Sequence, residues 1–173
     1  MKRLFILSIL LFYLHSSYSQ QEESPLVNSF YEHIKLKNES DINLEWVSLG
    51  PVLNSARVES VQVDENNPGT MYVAFGSGNL WKTINNGISW RPIFENQPSL
   101  GIGDIALAPS NSNIIYVGTG ESLKKARNFT MPGTGMYRSI DAGETWKHIG
   151  LEDSWHIGEI SVHPTNPDIV LVS

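Results

Sequence analysis

The sequence contains no cysteine. This absence excludes a disulfide framework and any zinc site with cysteine ligands. Because secreted eukaryotic domains more often carry disulfides, it also favours a bacterial origin. Basic residues are scarce, with 12 Lys and Arg against 18 Asp and Glu. The acidic balance disfavours nucleic acid and anionic membrane surfaces as partners.

The chain also lacks an apolar run long enough for a membrane-spanning helix. Its first apolar stretch covers 11 residues, from Leu4 to Leu14, and a bilayer needs about 20. Two basic residues precede this stretch, and Ser17 and Ser19 stand three and one positions before Gln20. This pattern predicts a signal peptide over residues 1–19, cleaved between Ser19 and Gln20. We expect a secreted protein, extracellular or periplasmic, with no membrane insertion after cleavage.

Two eight-residue segments share the pattern Ser/Thr-x-Asp/Asn-x-Gly-x-Ser/Thr-Trp. The Asp or Asn side chain can accept hydrogen bonds from backbone N–H groups ahead of it, glycine adopts positive φ without strain, and Trp supplies an apolar anchor. The pattern therefore predicts a hairpin turn rather than a reactive group at each octet. The residues given this structural role are Thr83, Asn85, Gly87, Ser89 and Trp90 in the first octet, and Ser139, Asp141, Gly143, Thr145 and Trp146 in the second.

The octets belong to a longer repeat. Val61, Ile105 and Ile160 correspond at steps of 44 and 55 residues, and the 11 extra residues fall in a long loop over 121–135. Each unit contains four short strand patterns and is the size of a propeller blade. The sequence therefore predicts an all-β fold, with about two and a half four-stranded antiparallel blades over 46–95, 100–150 and, incomplete, 156–173. Residues 20–45 form a polar linker or contain a short helix over 27–36.

A closed propeller usually takes about 4–8 blades. We therefore expect residues 46–173 to be the amino-terminal part of a longer propeller, with a free-standing three-blade solenoid as the alternative.

The octets resemble the Asp box, also called the bacterial neuraminidase repeat. The phrases at 46–51, 102–111, 117–121 and 156–160 resemble exported bacterial Asp-box propellers. Those proteins are similar to the amino-terminal propeller of sortilin and are often labelled glycosyl hydrolases. The resemblance implies that each octet joins the third and fourth strands of a blade, away from the central channel. Asn85 departs from the motif because it replaces the acid.

Four charged residues are candidates for ligand binding. Arg57 opens the first strand, and Glu121 follows Gly118-Thr119-Gly120 at the mouth of the long loop. Asp104 and Glu159 begin the first strands of successive units. They either bond loop N–H groups or form a carboxylate ring that binds a cation or a sugar.

Basic residues at 124, 125 and 127 lie beside Phe129 in the long loop. These basic residues either bind an acidic partner or belong to an ordinary solvated loop. No metal site is predicted, because His148, His156 and His163 lack the spacing of metal ligands. No cofactor and no catalytic residue are assigned.

The resemblance leaves the function open between two classes. The leading prediction is a secreted, non-catalytic binding or scaffolding module of sortilin-like type, which recognises a protein or peptide through loops on one propeller face. The alternative is a glycoside hydrolase of the Asp-box type whose active site needs blades outside this chain, so that a glycan would be the partner. A maturation or assembly factor is a third reading.

Overall fold

The computed structural model describes residues 24–41, 56–122 and 129–173. The predicted signal peptide, the phrase at 46–51 and the basic part of the long loop lie outside these residues.

Helix α1 (Pro25–Glu39) precedes the sheets. Ser24 caps it, since its Oγ accepts a 3.3 Å hydrogen bond from the Val27 N–H, and Pro25 occupies a position at which its missing N–H costs nothing. The helix ends where Ser40 turns to an extended conformation. It is longer at both ends than the helix predicted over 27–36. In the part of the chain that the structure describes, no helix is both long and apolar enough to cross a membrane.

The rest of the described chain forms antiparallel sheets. The first sheet has the strand order β1-β2-β3-β4, the second β5-β6-β7-β8, and the third pairs β9 with β10. Two complete four-stranded sheets and half of a third confirm the predicted partial β-propeller. The strands are β1 (Val58–Val63), β2 (Met71–Phe75), β3 (Leu80–Thr83), β4 (Arg91–Pro92), β5 (Ile102–Ala108), β6 (Asn111–Thr119), β7 (Met136–Ser139), β8 (Lys147–Gly150), β9 (Ile160–Val162) and β10 (Val170–Val172).

The outer strand of the first sheet is short. Strand β4 contains just Arg91 and Pro92. Pro92 has no N–H to donate, but the chain still pairs with β3 beyond it, since the Ile93 N–H donates a 2.9 Å bond to the Leu80 carbonyl.

The repeat is visible in the register of the strands. The pairing shifts between Val58 and Ser60 in β1, and again between Ile102 and Asp104 in β5. These two irregularities are 44 residues apart, as the sequence repeat requires. Strand β1 contacts β5, and β5 contacts β9. The first strands of the sheets therefore lie side by side at the inner edge of the array.

Aromatic residues fill the first seam, which we define as the space between the first and second sheets. Phe94 follows β4 and is buried against Tyr137 and Trp146 of the second sheet, with ring centroids 5.2 and 5.1 Å away in edge-on geometry. Leu80 and Ile115 complete this core from opposite sides. The second seam, between the second and third sheets, is mainly aliphatic and joins residues such as Met136 to Ile157 and Ile160, with Tyr116 as its buried aromatic residue.

A tyrosine–cation pair also crosses each seam. Tyr72 and Lys82 face each other on β2 and β3, and both donate to the Ala142 carbonyl in the second octet, at 3.4 and 2.7 Å. Tyr116 and Arg138 are the corresponding pair on β6 and β7. Their partners are the Pro167 carbonyl and the Asp168 carboxylate, each at 2.7 Å, in the turn between β9 and β10. Each pair thus connects one sheet to the next.

Candidate functional site

Strand direction divides the loops between two ends of the array. The octet turns and the turns after β1, β5 and β9 lie at one end, which we call the octet end. The opposite end, called the loop face, carries the turns after β2 and β6 and the connectors between sheets. Arg57 and Glu121 lie on the loop face, because one precedes β1 and the other follows β6.

At the octet end, Asp141 is fully occupied as a hydrogen-bond acceptor. Its Oδ1 accepts from Ser139 Oγ, Thr145 N and Glu144 N at 2.7, 2.9 and 3.1 Å, and its Oδ2 accepts from Thr145 Oγ1. The bonds from Thr145, followed by the bond from Ser139, lower the pKa of Asp141 to about 2. A carboxylate that stays ionised in this way stabilises the turn through its hydrogen bonds and has no proton to donate.

Asn85 holds the turn of the first octet, and one of its hydrogen bonds runs in the opposite direction to the corresponding bond of Asp141. Its Oδ1 accepts from Thr83 Oγ1 and Ser89 N, both at 2.9 Å. Its Nδ2 donates a 2.9 Å bond to Ser89 Oγ, whereas in the second octet the corresponding Thr145 hydroxyl donates to Asp141. The amide therefore keeps the contacts to the two hydroxyl residues of the octet, but its Oδ1 lacks the bond that the Glu144 N–H donates to Asp141. The glycines of the two turns, Gly87 and Gly143, both have positive φ, at 82° and 88°.

The two octet tryptophans are not equivalent, although the sequence treated both as core anchors. Trp146 reaches across the first seam and donates a 2.7 Å bond to the Ile93 carbonyl. Trp90 folds back on its own turn, donates to the Gly87 carbonyl, and remains 38% exposed. The difference arises because Trp146 has a preceding sheet to pack against, while in the described residues Trp90 has no sheet on its outer side. Each tryptophan lies immediately before the outer strand of its sheet.

On the loop face, the structure brings Arg57 and Glu121 together. The Arg57 guanidinium forms an ion pair with the Glu121 carboxylate. The Glu121 side chain is 3% exposed and that of Arg57 is 42% exposed. Glu121 also pairs with the backbone of Met131, donating its N–H at 2.9 Å and accepting at Oε2 at 3.4 Å. These two candidate residues therefore connect the first sheet to the second.

The other two candidates have different environments. The Asp104 Oδ2 accepts a 2.8 Å bond from the Ile160 N–H and so connects the second sheet to the third. Glu159 is exposed, and its carbonyl accepts from the Ser173 N–H at 3.1 Å. The N–H that Asp104 binds belongs to strand β9, whereas the prediction concerned N–H groups of loops.

Two exposed aromatic residues dominate the loop face. Trp155 lies in the connector after β8 and is 68% exposed, and Phe129 lies in the long loop and is 73% exposed. Their segments touch: Thr130 Oγ1 is 3.4 Å from His156 Nε2, and the Gly133 N–H donates a 2.9 Å bond to the Trp155 carbonyl. Sequence reasoning missed Trp155, because it lies outside the repeating phrases.

Close backbone contact at Gly120 holds this connector in place. Gly120 has a φ of 91°, and a Cβ atom there would lie 1.9 Å from the Trp155 carbonyl oxygen. Glycine is thus required both by the backbone conformation and by the approach of the connector. Over the described ranges, no group of three His, Asp or Glu side chains is arranged to hold a metal ion.

Comparisons with known proteins bear on the fold. No family model matches the chain, and no curated protein matches it. An ancestral GH74 enzyme of solved structure matches 67% of this chain, with 20% identity and a TM-score of 0.50. The GH74 enzyme of Niastella koreensis matches 59% with 22% identity and a TM-score of 0.45, and the GH74 xyloglucanase of Xanthomonas campestris matches 56% with 17% identity and a TM-score of 0.42.

This chain spans about one sixth of those solved structures, covering 16%, 15% and 16% of their lengths. At this identity, the likeness to the ancestral enzyme concerns the fold alone. Together with the antiparallel sheets, it identifies the described part of the chain as a partial β-propeller.

Proposed function

We propose that this chain is part of a secreted β-propeller that binds a polysaccharide on its loop face, in a protein of the glycoside hydrolase type. The observation that carries the proposal is the exposure of Trp155 and Phe129 on adjoining segments of that face. Aromatic rings present flat apolar surfaces with little conformational freedom, and the C–H faces of sugar rings pack on such surfaces. The fold shared with an ancestral GH74 enzyme supports the same class of ligand.

In this proposal the chain contributes binding and not the hydrolytic pair. Glycoside hydrolysis generally requires two carboxyl groups that flank the scissile bond. Asp104 and Glu121 are instead bonded across the seams, and Asp141 is bonded within its turn. We therefore assign any acid and base to parts of the longer propeller other than these three residues.

Binding of neutral polysaccharides by the full-length protein tests the proposal. Affinity electrophoresis in gels containing xyloglucan or hydroxyethyl cellulose should show retardation, and W155A should weaken it by at least tenfold. W90A is the matched control, because Trp90 is also partly exposed but lies at the octet end. Equal retardation of W155A and the unmodified protein, or no retardation by either polysaccharide, would contradict the proposal.

A second candidate is the binding or scaffolding module for a protein or peptide. The bonded state of Asp104, Glu121 and Asp141 supports it, since these contacts build a rigid frame under exposed loops. Screening a peptide array with the full-length protein would separate the two candidates. Saturable peptide binding that is lost in W155A, without retardation by polysaccharides, would favour this second function.

A further inference from the structure

His148 on β8 faces oxygen atoms at both ring nitrogens. Its Nε2 lies 2.8 Å from the Thr134 carbonyl oxygen, and its Nδ1 lies 3.5 Å from Glu152 Oε1. Both side chains of the ion pair are largely buried. The Thr134 carbonyl and the Glu152 carboxylate belong to the two segments that carry Phe129 and Trp155.

The chemistry of these acceptors determines which form of the imidazole fits. A carbonyl oxygen can only accept, so Nε2 must carry a hydrogen. A neutral imidazole protonated there directs the lone pair of Nδ1 at the Glu152 carboxylate, which repels it. The imidazolium donates at both nitrogens and is attracted to the carboxylate.

Among the groups around His148, Glu152 is the one whose charge decides between the neutral imidazole and the imidazolium. The Tyr137 ring of β7 packs against the imidazole at 4.9 Å, and its hydroxyl is occupied by Thr134 Oγ1 at 2.8 Å. Burial raises the pKa of Tyr137 to about 12, with smaller contributions from Tyr31 of α1 and Glu152, so this phenol stays neutral. Lys147 is the neighbour of His148 on β8 and is exposed.

The ion pair acts on the start of the connector. Glu152 comes three residues before Trp155, and the Ser154 N–H closes a turn on the Leu151 carbonyl at 3.0 Å. Farther along, the Trp155 carbonyl and the Ile157 N–H are bonded to Gly133 and Thr119. Loss of the attraction at Glu152 would therefore loosen residues 152–154, while Leu151 stays packed against Gly135 and the Trp155 carbonyl stays bonded to Gly133.

We infer that His148 is a positioning residue for the loop face: its imidazolium, paired with Glu152, orders the turn that precedes Trp155, and the neutral imidazole does not. The inference rests on the proposed function in one respect, namely that Trp155 binds the ligand. The positioning itself is independent of any ligand. It predicts that the loop face is ordered at acidic pH and loosens as His148 loses its proton.

The test follows Trp155 by ¹⁹F NMR in ligand-free, full-length protein labelled with 5-fluorotryptophan, with the signal assigned through W155F. The pH is scanned from 5 to 8, the range in which histidine ordinarily titrates. The imidazole of His148 is titrated in parallel by ¹H–¹³C NMR. We expect the Trp155 signal to shift with the same midpoint as His148. A Trp155 signal that stays constant through the His148 titration would overturn the inference.

Variants separate His148 from the other imidazoles. H148Q and E152Q should both abolish the shift, and E152Q keeps the His148 ring packed on Tyr137 if H148Q folds poorly. H163Q is the matched control and should leave the shift unchanged, because His163 is exposed at the octet end. His156 adjoins Trp155, so persistence of the shift in E152Q together with its loss in H156Q would also overturn the inference.

A binding measurement distinguishes failure of this inference from failure of the proposed function. If xyloglucan binds, its affinity should fall several-fold between pH 5 and pH 8, and E152Q should remove that dependence. Absence of polysaccharide binding alongside the expected ¹⁹F behaviour would contradict the proposed function and leave the positioning role supported. Binding that is lost in W155A but does not depend on pH, together with a constant ¹⁹F signal, would contradict the positioning role and leave the proposed function supported.

Discussion

The Tyr116 hydroxyl donates a 2.7 Å hydrogen bond to the Pro167 carbonyl of the following sheet. Tyr72 occupies the corresponding position in the first sheet, where its contact with the Ala142 carbonyl is longer, at 3.4 Å. Each tyrosine faces a cation on the next strand, Lys82 or Arg138, and that cation reaches the same neighbouring sheet. The seams are therefore joined by a repeated polar contact as well as by apolar packing.

The two tyrosines allow a matched comparison. Because its bond is short, Y116F should lower the free energy of unfolding by about 1 kcal/mol. Y72F should cost less, since its bond is longer and Lys82 also donates to the same carbonyl. Urea denaturation of both variants checks the order, and a larger loss for Y72F than for Y116F would contradict it.

Removing Arg57 should destabilise the first seam. R57A leaves the buried Glu121 carboxylate without its cation, and loss of one partner of such a pair costs about 3 kcal/mol. K35A is the control, because Lys35 and Glu39 form an exposed pair at 3.9 Å whose loss should cost under about 1 kcal/mol. The double variant R57A/E121Q should recover part of the stability, and a double variant no more stable than R57A would indicate that the pair is not coupled.

The second octet should contribute to the acid dependence of stability. The pKa of Asp141 is about 2 in the folded protein and 3.8 as its ordinary value. Because folding depresses the pKa, the contribution is fully present above about pH 4 and is lost as the pH falls through 2. D141N should flatten this part of the stability profile, while Asn85 shows that an amide can hold the turn. Thermal unfolding at pH values from 5 to 2 measures the effect, and an unchanged acid profile in D141N would count against it.

Gly103 tests the close packing of the second and third sheets, and Gly69, in the turn between β1 and β2, is its control. A Cβ atom at Gly103 would lie 2.1 Å from the Ile157 carbonyl oxygen and 2.5 Å from that of Gly120. G103A should therefore cost about 3 kcal/mol or more, since backbone atoms must move. At Gly69 a Cβ atom would meet its nearest neighbours at 3.6 Å, so G69A should stay within about 0.5 kcal/mol. Equal stability of the two variants would contradict the packing at Gly103.

Much of the fold was predictable from the sequence, because its signals are local. The alternation of apolar and polar residues indicates the strands, and the repeat of that pattern at steps of 44 and 55 residues shows which strands correspond. An Asp or Asn followed closely by glycine favours a tight turn over any other local structure. The extra 11 residues in the second unit likewise indicated the long loop.

Contacts between sheets were beyond the sequence, because they depend on distances between residues far apart in the chain. Arg57 and Glu121 were separate candidates, and folding makes them partners. His148 showed no recognisable spacing, yet the tertiary structure sets it between Thr134 and Glu152. The sequence alone determined the repeating strands and the turns that end them, since these depend on neighbouring residues. The tertiary structure decided which charges are used within the protein and which aromatic rings stay exposed, since both depend on how the sheets pack.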